Sequence, residues 1–281
     1  MPIVEIDGVC YETLSLFRRA FNCALVNPLI NHLVSARLLI GILKTSRSPL
    51  LTESLLRPGG WRAMRITYDN GEPVDYIDKC MLKSAALTLS ARNRRKMTVR
   101  SIGDLIVKYR AGGDVHIVGI GTGPGFNVLE AMANANTERV FAYCIDKDPD
   151  AFAFGRRMAA KMGLDDRVRY ISGNAVDLER LIDVVPQIVK MVGIIEYLND
   201  DQVRDLFRVS RRRLAPGGTV LVNSMLSNHG VDRYLRRVFN WHLKYRSPER
   251  IMRLLEECGF SGFGLRSDPL GVYSVITASR R

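Results

Sequence analysis

Val115-His116-Ile117-Val118 runs directly into Gly119-Ile120-Gly121-Thr122-Gly123-Pro124-Gly125, and a helical pattern opens near Asn127. An apolar β-prone run that breaks into glycines and resumes as a helix is the signature of a parallel strand turning sharply at the edge of an α/β sheet. Glycine at alternate turn positions supplies tight-turn dihedrals and removes the side chains that would keep a ligand from the backbone. Alone, such a turn also fits a purely structural bend or a dinucleotide fingerprint.

Downstream, short β-rich runs alternate with helical stretches: Val140–Ile145, Val168–Ser172, Gln187–Gly193 and Gly218–Ser224 follow the first strand, Val115–Gly119. This alternation predicts a parallel sheet with helices on both faces, a Rossmann-like α/β fold. Gly264–Arg266 and Tyr273–Ala278 are read as an antiparallel pair closing its edge. Upstream, residues 12–44 carry apolar residues at helical spacing and are read as two helices, the second starting at Pro28. Residues 46–73 read as an irregular connection, with Met64–Tyr68 a short strand before the Asn70-Gly71 turn. A long amphipathic stretch over 74–90, the basic segment Arg92–Lys96 and a helix over 99–109 complete an N-terminal helical cap, residues 1–100, ahead of a ligand-binding domain, 101–281.

Three further motifs follow their strands as the glycine turn does, and a fourth precedes the fifth strand. Asp146 ends Phe141-Ala142-Tyr143-Cys144-Ile145, where a carboxylate can accept both hydroxyls of a ribose; an acidic helix cap is the alternative, since Asp148-Pro149 follow. Ser172-Gly173-Asn174-Ala175 follows the third strand, and the Asn174 amide offers a donor and an acceptor to a base edge. The fourth strand ends in Gly193-Ile194-Ile195-Glu196-Tyr197-Leu198-Asn199-Asp200, and Leu214-Ala215-Pro216-Gly217-Gly218 leads into Thr219-Val220-Leu221-Val222-Asn223-Ser224.

In this order and spacing the motifs resemble the class I S-adenosylmethionine (SAM)-dependent methyltransferases, from about Ser101 to the end of the chain. The resemblance implies SAM as cofactor, with Gly119, Gly121 and Gly123 toward its methionine part, Asp146 and the adjacent Lys147 at the ribose, Asn174 and Ala175 at the adenine, and Gly193 closing the edge. It departs from the common pattern at Ile117, where many members carry an acid, at Asn174, where aspartate is common, and at Pro124. Arg236–Glu249 and the Gly-x-x-Glu-Tyr-Leu of residues 193–198 are similar to a bacterial branch that makes 3-hydroxy fatty acid methyl esters. That similarity implies a small-molecule acceptor.

Residues just past the fourth and fifth strands are the reaction-centre candidates: Glu196, Tyr197, Asn223, Ser224 and His229. Tyr197 suits a cation–π contact with a sulfonium, and a packed tyrosine is the alternative. His229 or His242 suits a general base, and a structural role is the alternative. His116, in a strand buried on both faces, is read as a hydrogen-bonded core histidine.

Composition bounds the rest. With 281 residues, 47% of them hydrophobic, the chain can bury a substantial core. Its net charge of +12 favours an anionic ligand, a nucleic acid or a membrane surface. Much of the excess is arginine after position 207, read as a solvated face. Five cysteines without a C-x-x-C pair argue against disulfides and a zinc site, so no metal is expected and a reducing cytoplasm fits. The apolar stretch 24–43 is interrupted by polar residues, so no membrane span is expected. Four functions remain: methyl transfer to a small molecule; cyclisation of SAM to azetidine-2-carboxylate, which an uncharged Ile117 would suit by leaving the amine free; RNA modification, which lacks an appended RNA-binding module; and SAM-dependent regulation without catalysis. Oligomeric state is not legible.

Overall fold

The computed structural model describes residues 2–135 and 137–281. In chain order the elements are β1 (Ile3–Ile6), β2 (Val9–Glu12), α1 (Leu16–Phe21), α2 (Ala36–Leu43), α3 (Pro49–Leu56), α4 (Trp61–Asp69), α5 (Tyr76–Lys83) and α6 (Ala86–Tyr109). There follow β3 (Val115–Ile120), α7 (Phe126–Asn134), β4 (Val140–Asp146), α8 (Pro149–Lys161), β5 (Val168–Ser172), α9 (Leu178–Leu181) and β6 (Ile188–Met191). The chain ends with α10 (Asp200–Arg213), β7 (Thr219–Met225), α11 (Asp232–Phe239), α12 (Pro248–Glu257), β8 (Phe260–Ser267) and β9 (Tyr273–Arg280). It divides into two compact units. The first holds residues up to Lys96 with Leu226–Tyr245 and Ser267–Tyr273, and the second holds Met97–Met225, Arg246–Arg266 and Ser274–Arg281. The division falls inside α6 rather than at residue 100, and two later segments join the first unit.

The second unit is built on a seven-stranded sheet of order β5-β4-β3-β6-β7-β9-β8. β5, β4, β3, β6 and β7 run parallel. β9 is antiparallel to β7, with Arg280 N–H bonded to the Gly218 carbonyl at 2.7 Å near one end and Leu226 N–H to the Val272 carbonyl at 2.8 Å near the other. Strand order reverses between β3 and β6, and at such a switch point the loops beyond the strand ends diverge and leave a crevice. Val118, Ile120, Val189, Val220 and Val222 are buried in one core with Phe207 of α10 and Leu254 of α12. Local chemistry sets the helix starts: Asp148 caps α8 ahead of Pro149, Ser247 caps α12 ahead of Pro248, and Asn199 forms a reciprocal capping box with Gln202 on α10.

In the first unit, Leu50 of α3, Ala63 of α4 and Leu82 of α5 share a small core. Three expectations are corrected there. Met64–Tyr68 is part of α4, because Ala63 and Thr67, four apart, bury one helical face, and Asn70 ends the helix with φ +47 instead of opening a hairpin. The break in residues 12–44 falls at Val34-Ser35, where Ser35 caps α2, and not at Pro28. Pro28 is carried within a continuous winding because π-type turns, Asn22–Val26 and Leu29–Leu33, flank it and absorb the missing N–H. The 74–109 stretch is interrupted at Ser84, not at the basic segment, which lies within α6. An unforeseen hairpin pairs β1 with β2 across Asp7 and Gly8, both at positive φ.

The late arginines only partly form a solvated face. Arg208, Arg212, Arg233, Arg236 and Arg253 are exposed. Others fasten loops by donating to main-chain carbonyls: Arg213 to Val184, Arg237 to Val34 and Arg211 to Gly259.

Candidate active site

The second unit gathers most of the candidate residues at the strand ends beside the switch point. Gly121, Gly123 and Gly125 hold φ of +60, +55 and +87, a region that strains any L side chain. Two of the glycines are also needed for packing. A Cβ on Gly119 would lie 2.2 Å from Thr122 Cγ2, and one on Gly121 would lie 2.8 Å from Ile194 Cδ1, so the turn after β3 packs directly against the loop after β6. Pro124 has its carbonyl bonded by the Tyr170 hydroxyl at 3.0 Å, a contact open only because position 155 lacks a side chain.

Asp146, at the tip of β4, binds this turn to the sheet. Its Oδ2 accepts the Gly123 N–H at 2.7 Å, and its Oδ1 accepts the N–H groups of Lys147 at 2.7 Å and Asp148 at 3.2 Å. The helix cap is Asp148, whose carboxylate accepts from Asp150 and Ala151, so Asp146 is not spent on capping. Ser172 pairs with Asp146 in the β4–β5 register, and Gly173 N–H bonds the Asp146 carbonyl at 3.1 Å. Asn174 and Lys147 are therefore close along the same edge, and both side chains are exposed. Ala175 opens a short 3-10 turn after Asn174.

On the other side of the switch, Asn223 is fully buried and joins two loop residues. Its Oδ1 accepts the Gly193 N–H at 2.9 Å and its Nδ2 donates to Glu196 Oε1 at 2.7 Å. Asn223 and Ser224 lie within β7 rather than past it, because the strand runs buried as far as Met225. Gly193 and Glu196, just past β6, form one polar knot with Asn223 near the carboxyl end of β7, and Tyr197 extends from this knot with 43% of its surface exposed. Ser224 is buried beside it with no hydrogen-bond partner for its Oγ, and in the first turn of α7 the buried Asn127 has none for its Oδ1. Buried polar atoms without partners carry a desolvation cost that a polar ligand can relieve.

His229 belongs to the first unit. It is buried, its Nδ1 accepts the Val231 N–H at 3.2 Å, and its Nε2 lies 3.1 Å from the Tyr245 hydroxyl, which donates to Asp232 at 2.7 Å. Burial pulls its pKa down to about 4. His242 is exposed beside Asn240. His116 is half-buried rather than in the core; it stacks on Phe141 and approaches the Tyr143 hydroxyl at 3.5 Å, and its partial burial lowers its pKa.

Sequence reasoning missed Arg246. Buried, it donates from Nη1 to the Ile195 carbonyl at 2.8 Å, from Nη2 to the Leu198 carbonyl at 2.6 Å, and from Nε to Asp200 at 2.7 Å. It thereby brackets the loop that carries Glu196 and Tyr197. Arg250 and Arg246 together hold the Asp200 carboxyl below the ordinary aspartate range, the Arg250 hydrogen bond contributing most. One signal was present: Arg246 directly precedes the Ser247-Pro248 helix cap, a rigid start that fixes its backbone. Lys190, buried inside β6 and donating to the Val192 carbonyl at 3.2 Å, carried no signal in an otherwise apolar strand.

This sheet order, with a glycine turn at the switch and an acid on the next strand tip, defines a Rossmann-like sheet of the methyltransferase type. Residues 67–280 match the family profile described as "Putative methyltransferase", and the chain belongs to that family. Among curated proteins it is similar to the uncharacterized protein YnbC of Escherichia coli K12, 24% identical over 253 residues that cover 78% of this chain; the match spans 41% of that relative's length. Among solved structures, one described as a possible exported protein from Bordetella parapertussis has a TM-score of 0.68 at 16% identity, covering 95% of this chain and 97% of the other. The magnesium protoporphyrin IX methyltransferase of Synechocystis PCC 6803, solved with bound SAH, has a TM-score of 0.59 at 13% identity, covering 82% and 98%. The last two likenesses are of fold.

Proposed function

We propose that the chain is a SAM-dependent methyltransferase acting on a small molecule, natural-product-like or fatty-acid-like. The observation that carries this reading is the bond from Gly123 N–H to Asp146, which joins the glycine turn and the ribose-type acid into one preformed cradle at the switch point. The residues present fit the cofactor. Gly119, Gly121 and Gly123 leave the turn's backbone approachable for the methionine part, and Asp146 with Lys147 suits the ribose. Asn174 and Ala175 suit the adenine, and Gly193 closes the far side. The unpartnered Asn127 Oδ1 and Ser224 Oγ supply buried polar atoms that await a partner.

SAM supplies a methyl group already activated on a sulfonium, so the chain's task is binding, alignment and exclusion of water. Tyr197 places its ring for a cation–π contact, worth about 0.5–2 kcal/mol depending on desolvation. Glu196 and Asn223 act as positioning residues that hold the Tyr197 loop. His229 is neutral at pH 7 and serves a structural role. The cyclising alternative drew on Ile117, but that side chain is fully buried within β3, so its lack of charge reflects strand packing. Mass spectrometry of the nucleoside product tests the reading. S-adenosylhomocysteine formed with a small-molecule extract supports it, methylthioadenosine from SAM alone indicates cyclisation, and no turnover with any extract overturns catalysis.

A further inference from the structure

The winding from Leu16 to Leu33 is amphipathic with its faces reversed. Phe17, Phe21, Leu25, Leu29 and Leu33 recur every four residues and are all exposed, Phe17 to 81%, Leu25 to 54% and Leu33 to 76%. The period follows from the backbone. An α-helix repeats every 3.6 residues and π turns are wider, so alternating the two brings the repeat to about four and lines these side chains into one stripe. The inner side carries asparagines. Asn22 donates to the Ser84 carbonyl at 3.4 Å, Asn27 packs against Gly230, and Asn31 bonds both the Gly230 carbonyl and the Tyr234 N–H at 2.8 Å. A helix folded only for water would turn these faces the other way, and an apolar stripe of this extent marks an interaction surface.

Charge selects the partner. Between Glu12 and Glu53 the sequence contains no acidic residue, while Arg18, Arg19, Arg37, Lys44 and Arg47 lie within it and are exposed. Among the described residues no single helix is long and apolar enough to cross a membrane; the winding and α2 together have the length and hydropathy of a broken span, and they are bent by 109° at the break. That bend, with the exposed basic residues flanking the stripe, suits the pair to lying in an interface. In α2 the stripe continues through the exposed Leu38 and Ile42, again four apart. We propose that this face seats the first unit on an anionic lipid surface, the apolar stripe entering the acyl boundary and the arginines and lysine pairing with headgroups. The proposal does not rest on the methyl-transfer reading.

Flotation of the full chain with phosphatidylcholine vesicles, with and without phosphatidylglycerol, tests it. The expected result is co-flotation that requires phosphatidylglycerol, weakens with salt, and falls at least about tenfold in Phe17→Asp/Leu25→Asp and in Arg18→Glu/Arg19→Glu. All four side chains are exposed, so unchanged melting is the control, and the arginine pair keeps the test valid if the apolar pair impairs folding. A Phe17→Trp variant should lose fluorescence to brominated acyl chains. The proposal is overturned if the wild type stays unbound at low salt, if neither pair of substitutions weakens binding, or if the face instead forms a lipid-independent dimer that Leu25→Asp dissociates.

Discussion

Asp146 accepts the backbone N–H of Gly123 across 2.7 Å, so the strand tip that should meet a ribose also shapes the glycine turn beside it. One residue therefore couples local order to cofactor affinity. Asp146→Asn keeps the volume but removes the charge and one of the two oxygens that accept the Gly123, Lys147 and Asp148 N–H groups, so at least one of these bonds is lost. Hydrogen bonds to charged groups contribute about 1.5–3 kcal/mol each, so SAM should bind about 10- to 100-fold more weakly with only a modest fall in melting temperature. Calorimetric titration beside a thermal melt checks both halves.

Gly121→Ala should destabilise the second unit twice over. Its φ of +60 disfavours an L residue by about 1–2 kcal/mol, and the new Cβ would meet Ile194 Cδ1 at 2.8 Å. Adding Ile194→Val deletes that methyl and should recover part of the steric cost, since Ile194 Cβ and Cγ1 at 3.1 and 3.3 Å remain tight. Urea denaturation of both variants separates the contributions, and full recovery would show that the dihedral carries no cost.

Arg246→Ala should cost about 2–4 kcal/mol, because two loop carbonyls and Asp200 lose a buried donor. Arg246→Lys should recover only part, since one ammonium cannot serve three acceptors in a fixed plane. The Asp200 carboxyl is held below its ordinary value of 3.8, so its contribution to stability is fully present above that pH and is lost as pH falls toward the lowered value. Denaturation measured from pH 6 downward should show that acid loss in the wild type and not in Asp200→Asn.

His229 sets a second pH window. Its folded pKa of about 4 lies below the ordinary 6.5, so the unfolded chain binds the proton first and stability declines as pH falls from about 6.5 to about 4. The full effect is about 3 kcal/mol in order of magnitude. His229→Gln should flatten that slope, as read by denaturation across the window. An unchanged slope would mean that the ring is solvated rather than buried beside Tyr245.

The second unit was largely legible because its strands are buried on both faces and end in glycine turns, which leave short apolar runs with sharp punctuation. β3, β4, β5 and β7 lie within a residue or two of their expected bounds. The first unit was less legible because its windings depart from the two simple periods. The every-fourth-residue stripe from Phe17 to Leu33 fits neither a strand nor a regular α-helix facing a core, and Pro28 reads as a break unless π turns are foreseen. Asp7-Gly8 is a hairpin signal, but the strands flanking it are short and β1 is exposed throughout, which weakens their alternation. Within the site, Asp146, Asn174 and the Gly193–Tyr197 loop were visible as motifs. Arg246 was one arginine among many, and only packing separates it from those on the surface.

The most direct test of the central claim is titration calorimetry of S-adenosylhomocysteine into the full chain and into Asp146→Ala. Saturable binding at one site, at least about tenfold weaker in the variant, is the predicted result. No binding by the wild type, or equal affinity in both, would contradict the assignment of the Gly119–Gly125 turn and Asp146 to the cofactor.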